Sequence, residues 1–321
     1  MPSSVAASVA AIRDAAATLR RGGLVAFPTE TVYGLGADAS NPAAVARIYQ
    51  VKGRPAGHPV IVHIGDPGQL PRWAREIPEH AAKLAARFWP GPLTLVLPRA
   101  RGVPDELTGG QETIGLRVPG HPVALELLRE FSGGIAAPSA NRFGRISPTC
   151  AEHVRSDLGS DVDLILDGGT CEIGIESTIV DVSRGRPIVL RPGRISEEEI
   201  ARTLGVASAP RDAESPRVPG MLLSHYAPRQ PLRLVASHEW ELRLPGKSAR
   251  RGVMSFRARP SGDASVIWIH APSAPEPYGH DLYANLRTLD ASGCDEILVE
   301  EPPASADWSA IRDRLSRARS G

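Results

Sequence analysis

Val5, Val9, Ile12, Ala16 and Leu19 return at steps of three and four, and Gly22-Gly23 follow, a pattern that predicts an amphipathic helix stopped by glycine. Leu24 to Phe27 then reads as a buried strand, and Asn41-Pro42 as the cap and first turn of a helix reaching about Val51. Lys52 and Arg54 therefore fall in a helix-to-strand loop, because Val60 to Ile64 is strand-like again. Pro78 opens a helix toward Phe88, Leu93 to Leu97 and Ile114 to Val118 are strands, and a helix from Pro122 ends before Gly133-Gly134. Ile135 to Ala137 is a short strand, Ser147-Pro148 reads as a helix cap, and Asp163 to Leu166, Thr178 to Val182 and Ile188 to Leu190 are extended. Ser196 caps one more helix, whose first turn holds Glu197, Glu198 and Glu199 at the positive end of its dipole. The alternation predicts an α/β fold with a twisted mixed sheet and flanking helices.

At 321 residues the chain exceeds what a single core comfortably fills, about 250–300 residues, and predicts two domains. The first is expected over 1–205. Residues 206–228 have low periodicity and carry Pro210, Pro216, Pro219 and Pro228, as an extended linker does. Over 229–321, Leu232 to Val235, Gly252 to Phe256, Val266 to Ile269 and Ile297 to Val299 alternate with helices near Tyr278 to Leu289 and Ala310 to Arg317. That is a second, smaller, Rossmann-like α/β domain.

Charge and cysteine change the picture little. Lys plus Arg number 37 against 36 Asp plus Glu, so no bulk field draws nucleic acid and an anion site must be built locally. Cys150, Cys171 and Cys294 have no metal or disulfide spacing, which fits a reducing cytoplasm. Neither a signal-peptide pattern nor a membrane-spanning run of about eighteen apolar residues is present.

Hydroxyls, glycines and arginines gather in four regions: Thr29 to Gly36; Lys52 with Arg54; Arg117-Val118-Pro119 with Ser139-Ala140-Asn141 and Ser147; and Ser177-Thr178 with Arg191-Pro192-Gly193-Arg194. The arginine fork matches phosphate or carboxylate, and lysine adds a point charge, so the set predicts a polyanionic ligand. Taken alone, Lys52 and Arg54 read as a solvated loop. Arg117 sits in an apolar strand and requires either an internal ion pair or a ligand. Ser177 and Thr178 alone read as strand formers, and Ser147 as an N-cap.

Several motifs fail on inspection. Gly34-Leu35-Gly36-Ala37-Asp38-Ala39 fits a dinucleotide fingerprint loosely but precedes no helix signal, and Gly246-Lys247-Ser248 lacks the first P-loop glycine, which is Glu241. No nucleophile elbow is present, and His58, His63 and His121 have no metal-site spacing.

In order along the chain stand Pro28-Thr29-Glu30-Thr31-Val32-Tyr33-Gly34-Leu35, Lys52-Gly53-Arg54-Pro55, His58-Pro59-Val60-Ile61-Val62-His63, Leu116-Arg117-Val118-Pro119 and Pro138-Ser139-Ala140-Asn141. Ser147-Pro148-Thr149, Ser177-Thr178-Ile179-Val180-Asp181, Arg191-Pro192-Gly193 and Pro219-Gly220-Met221 with His225-Tyr226-Ala227-Pro228 complete the series. With these blocks the chain closely resembles the threonylcarbamoyl-AMP synthase family, in its long form with a YrdC-like domain and a C-terminal domain.

The resemblance implies that L-threonine, bicarbonate or CO2, and ATP give threonylcarbamoyl-adenylate and pyrophosphate. The product would go to a downstream tRNA threonylcarbamoyl transferase complex. It also implies that Thr31, His63, Arg117 and Ser177 hold threonine. Arg54, His58, Thr113, Ser139, Asn141, Ser147, Arg191 and Tyr226 would surround ATP, and Lys52, Arg54 and Arg117 would carry the charge of the reaction. Mg2+ is expected with the triphosphate. Tyr226 makes 206–228 a lid over the site; Leu222-Leu223-Ser224 stands where the family commonly has basic and aromatic residues, which predicts a more apolar anchoring. Two other readings are a double-stranded RNA-binding module and a carbamoyl-adenylate-forming carbamoyltransferase; threonine dependence separates both from the synthase.

Overall fold

The apolar runs of the first two-thirds of the chain become one ten-stranded mixed sheet. Its strands are β1 (Ser4–Ala6), β2 (Val25–Phe27), β3 (Gly34–Asp38), β4 (Ile61–His63), β5 (Leu93–Pro98), β6 (Thr113–Arg117), β7 (Ile135–Ala136), β8 (Leu164–Asp167), β9 (Thr178–Asp181) and β10 (Ile188–Arg191). They lie in the order β1-β8-β2-β3-β7-β4-β6-β5-β9-β10. This is a computed structural model that describes residues 4–222, 224–240, 250–259 and 266–319. The chain divides into two units, Met1–Phe143 with Pro148–Met221, and Gly144–Ser147 with Leu222–Gly321.

Helices α1 (Val9–Arg20), α2 (Pro42–Lys52), α3 (Leu70–Trp73), α4 (Glu79–Phe88), α5 (Asp105–Thr108), α6 (Pro122–Phe131), α7 (Ala151–Leu158) and α8 (Glu197–Leu204) belong to the first unit. Local chemistry sets their ends. Asn41 Oδ1 accepts from the amides of Ala43 and Ala44, and Ser196 with Glu199 closes a reciprocal capping box. Every residue of β5 is buried, as expected of a strand covered on both faces.

Three expectations, for Val5, Ser147 and Lys52, are corrected, and one strand was not anticipated. Val5 lies in β1, paired with Leu166 of β8, and the first helix starts at Val9 under a Ser8 cap. The glycine-rich segment Gly34–Asp38 is a strand antiparallel to β2. Ser147 caps no helix, because α7 begins at Ala151 after Cys150. Lys52 is the last residue of α2 rather than a loop residue.

The second unit holds a parallel sheet of β11 (Leu232–Val235), β12 (Arg251–Ser255), β13 (Val266–His270) and β14 (Glu296–Glu300), ordered β11-β14-β12-β13, with α9 (Pro275–Ala291) and α10 (Ser309–Ala318). The Glu300 carboxylate is buried there, accepts from Ser237, Ser255 and the Phe256 amide, and pairs with Arg257 at 3.3 Å, so its charge is engaged. No helix among the described residues is long and apolar enough to cross a membrane.

Candidate active site

Parallel pairing of β4 with β6 sets the last residues of the two strands, His63 and Arg117, side by side in register. Ile61 pairs with Gly115 two residues earlier, so this face of the sheet passes from two polar side chains to a shallow apolar floor. A small cleft on it is lined by Ile61, Thr94, Val96, Thr113, Gly115 and Ile179, with Arg217, Val218 and Pro219 at its margin.

Arg117 is 4 % exposed, and its guanidinium is aimed by three groups. Nε donates to the Gly91 carbonyl at 3.2 Å, Nη1 donates to Thr31 Oγ1 at 3.0 Å, and Nη2 pairs with Glu30 Oε1 at 2.6 Å. Thr29 fixes the turn that delivers Thr31. Its hydroxyl donates to the Val32 carbonyl at 2.6 Å and accepts from the Thr31 and Val32 amides, which directs the Thr31 hydroxyl proton toward Thr29 Oγ1 and leaves Thr31 oxygen free to accept from Arg117. Of the two sequence readings of Arg117, the internal ion pair is therefore present, with Glu30 as partner.

Ser177 precedes β9 and meets Thr94 at 2.8 Å between hydroxyl oxygens. Arg191, the last residue of β10, donates to the Ser177 carbonyl and hydroxyl, and through Nη1 to the Pro219 carbonyl. This packing requires Gly193: a Cβ there would lie 2.4 Å from the Thr178 nitrogen and 2.7 Å from the Ser177 carbonyl carbon. Gly193→Ala is expected to destabilise the protein by about 1–3 kcal/mol, read by denaturant unfolding.

Lys52 and Arg54 are not a solvated loop; they are 3 % and 7 % exposed. Lys52 Nζ donates to the carbonyls of Ser139 and Asn141, and Phe143 N returns a bond to the Lys52 carbonyl, so the lysine ties the Ser139–Asn141 segment to the end of α2. Burial first, and then Arg54, hold its ammonium pKa well below the ordinary lysine value. Arg54 donates to the Pro59 carbonyl at 2.7 Å and lies over the Phe143 ring, which also packs against His58. Burial and Arg54 lower the His58 pKa, and burial followed by Arg117 depresses that of His63 to about 3.

The first unit thus gathers Thr31, His63, Arg117, Ser177, Thr113 and Arg191 on and around one sheet face. Lys52, Arg54, His58, Ser139 and Asn141 are joined to it through the Tyr33–Ala140 and Gly34–Ser139 backbone contacts. Ser147 and Tyr226 fall in the second unit. The Ser147 carbonyl accepts from Arg287 there, while Tyr226, left-handed at φ 62, stacks on Tyr283 with ring centroids 5.7 Å apart and lies under the Arg314 guanidinium. Leu223, part of the departure in the linker, lies outside the described residues. Thr94 was not anticipated as a site residue, although a fully buried hydroxyl inside the apolar run Leu93 to Leu97 was a readable signal. Glu30 was visible only as part of its motif.

The Sua5_yciO_yrdC family model, described as telomere recombination, matches residues 17–193, and the model for the threonylcarbamoyl-AMP synthase C-terminal domain matches residues 195–320. The threonylcarbamoyl-AMP synthase of Pyrococcus abyssi is 42 % identical over 96 % of this chain and 93 % of its own length, and that of Bacillus subtilis 41 % identical over 97 % and 93 %. Among solved structures, P. abyssi Sua5 complexed with L-threonine superposes with a TM-score of 0.86 at 39 % identity, covering 96 % of this chain and 94 % of that one. With both domain models matched in order and relatives aligned along nearly its full length, the chain belongs to the threonylcarbamoyl-AMP synthase family in its two-domain form.

Proposed function

We infer that this chain makes threonylcarbamoyl-AMP from L-threonine, bicarbonate or CO2, and ATP, with release of pyrophosphate, serving the threonylcarbamoyl modification of tRNA adenosine. The observation that carries the reading is the buried, pre-aimed Arg117 beside Thr31, in a family whose P. abyssi member is solved with L-threonine bound. Arg117 and Thr31 take the threonine carboxylate, and neutral His63 and Ser177 complete its pocket. The neutral amine adds to CO2 and releases a proton to solvent, leaving a carbamate, and a carbamate oxygen attacks the α-phosphate as the α–β phosphoanhydride bond breaks and pyrophosphate leaves. Positioning and charge neutralisation carry such a step, so the site needs cations and hydroxyls but no protein nucleophile.

Arg54, His58, Thr113, Ser139, Asn141, Ser147, Arg191 and Tyr226 serve ATP in this proposal, with Lys52 acting through the Ser139–Asn141 carbonyls that it holds. Among the described residues no group of three or more His, Cys, Asp or Glu side chains is placed to hold a metal ion. In this reading Mg2+ arrives on the triphosphate, whose oxygens would supply most of its ligands and whose charge the ion would offset. Residues 206–228 act as the lid. Within the first unit, Val218 packs with Ile61, Val96 and Ile179, and Arg217 exchanges backbone bonds with the Gln111 side chain. Tyr226→Ala is expected to weaken ATP binding about threefold to tenfold, the scale of a lost aromatic contact; unchanged affinity in a titration removes the lid role. The product passes to a tRNA threonylcarbamoyl transferase in the cytoplasm. Pyrophosphate release with and without L-threonine tests the whole reading: turnover indifferent to threonine would refute it.

A further inference from the structure

Thr94 is the feature of the cleft that the fold leaves unexplained. Along β5, Leu93, Leu95 and Leu97 enter the main apolar core, while Thr94 and Val96 line the cleft. Every residue of the strand is buried and Thr94 is 0 % exposed, a setting in which valine would fill the same volume with no hydroxyl to satisfy. The only hydrogen-bond partner of that hydroxyl among the described residues is Ser177 Oγ, 2.8 Å away. Ser177 Oγ also accepts from Arg191 Nη2 at 3.1 Å, and a guanidinium has no acceptor with which to take the serine proton.

Two hydroxyl protons share one contact between their oxygens, and the surroundings decide its direction. If Ser177 donated to Thr94, the Thr94 proton would have no acceptor among the described residues, with or without substrate, and an unmade donor at a fully buried position is costly. If Thr94 donates to Ser177, both lone pairs of the serine oxygen are filled, one by Thr94 and one by Arg191, and the serine can act only as a donor. We propose that Thr94 is a positioning residue for the amino-acid substrate: by donating to Ser177 Oγ it holds that hydroxyl in place and commits its proton to a substrate oxygen. The proposal rests on the reading that Ser177 belongs to the threonine pocket. Arg191 completes the arrangement, since its Nε and Nη2 also hold the Ser177 carbonyl and so fix the backbone from which the hydroxyl projects. The substrate oxygen then supplies the one acceptor that the serine proton lacks, and nothing has to rotate when it arrives.

The test is calorimetric titration with L-threonine, without ATP, of four variants of the full chain. Thr94→Val deletes the hydroxyl at nearly constant volume, Thr94→Ser keeps it, Ser177→Ala removes its partner, and the fourth combines Thr94→Val with Ser177→Ala. Thr94→Val is expected to weaken threonine binding about tenfold, Thr94→Ser to stay within about threefold of the wild type, and Ser177→Ala to weaken binding at least as much as Thr94→Val. In the Ser177→Ala background, Thr94→Val should add less than about twofold, because its route to the substrate is gone. A packing role alone would lower the melting temperature of Thr94→Val while leaving its threonine affinity at the wild-type value, or would weaken binding by the same factor in both backgrounds; either result overturns the proposal. Should Thr94→Val fail to fold, Thr94→Cys, the size of serine but only a weak donor, takes its place against Thr94→Ser, and equal threonine affinities in that pair contradict the proposal. Threonine affinity unchanged in Ser177→Ala would refute the placement of Ser177 itself, which separates failure of that reading from failure of the proposal.

Discussion

Arg117→Gln is expected to lower the affinity for L-threonine by about a hundredfold or more and to abolish threonine-dependent pyrophosphate release at ordinary threonine concentrations. The scale follows from losing a desolvated charge pair, worth about 2–5 kcal/mol, with each 1.4 kcal/mol a factor of ten. Part of the effect is structural, because removal of the guanidinium leaves Glu30 buried with no counter-charge, at about 3–5 kcal/mol of stability. Arg117→Lys separates the two contributions. It keeps a positive charge for Glu30 but loses the fork that bonds the Gly91 carbonyl, Thr31 and Glu30 together. The lysine variant should therefore fold near-normally and still bind threonine at least about tenfold more weakly. Calorimetric titration alongside a thermal melt checks both; a folded variant with unchanged threonine affinity would refute the assignment.

A second large effect concerns acid stability. His63 is buried, its Nδ1 has no hydrogen-bond partner among the described residues, and burial together with Arg117 depresses its pKa to about 3 from an unfolded value near 6.5. Because the folded pKa lies below the unfolded one, the unfolded chain binds the extra proton between those values. Stability from keeping His63 neutral is thus complete above about pH 6.5 and is lost as pH falls toward about 3. Between pH 7 and pH 4 the loss is on the order of 3 kcal/mol. Carboxylates titrate in the same range, so the informative quantity is the difference between wild type and His63→Asn. That difference should shift in favour of the variant by about this amount on acidification, and unfolding curves that stay parallel across the range would contradict it. Arg117→Gln should narrow the window, since the guanidinium is the second cause of the depression.

The parts of this fold that local chemistry decides were legible in the sequence. Asn41-Pro42 starts α2, Ser196 with Glu199 starts α8, and apolar runs such as Leu93 to Leu97 become strands. What escaped reading depends on distant partners. Gly34–Asp38 has little intrinsic strand preference, yet a Cβ at Gly36 would come within 2.9 Å of both Phe27 and Ile135, so the glycine is what lets those side chains close over the strand. Val5 keeps helical spacing with Val9 but is claimed by the edge of β8, and Ser147-Pro148 carries a cap signature although no helix begins before Ala151. The site divides the same way. An arginine in an apolar strand announces that something must answer its charge, so Arg117 could be singled out. That Glu30 answers it, that Thr94 backs Ser177, and that Lys52 spends its protons on two carbonyls are spatial facts with no local signal.

The measurement that bears most directly on the central claim is mass analysis of the reaction of the full chain with ATP, Mg2+, L-threonine and 13C-labelled bicarbonate. The account predicts an adenylate that carries both threonine and the bicarbonate label, appears together with pyrophosphate, and is missing when threonine is left out. Pyrophosphate formed without that adenylate, or an adenylate that carries the label but no threonine, would contradict it.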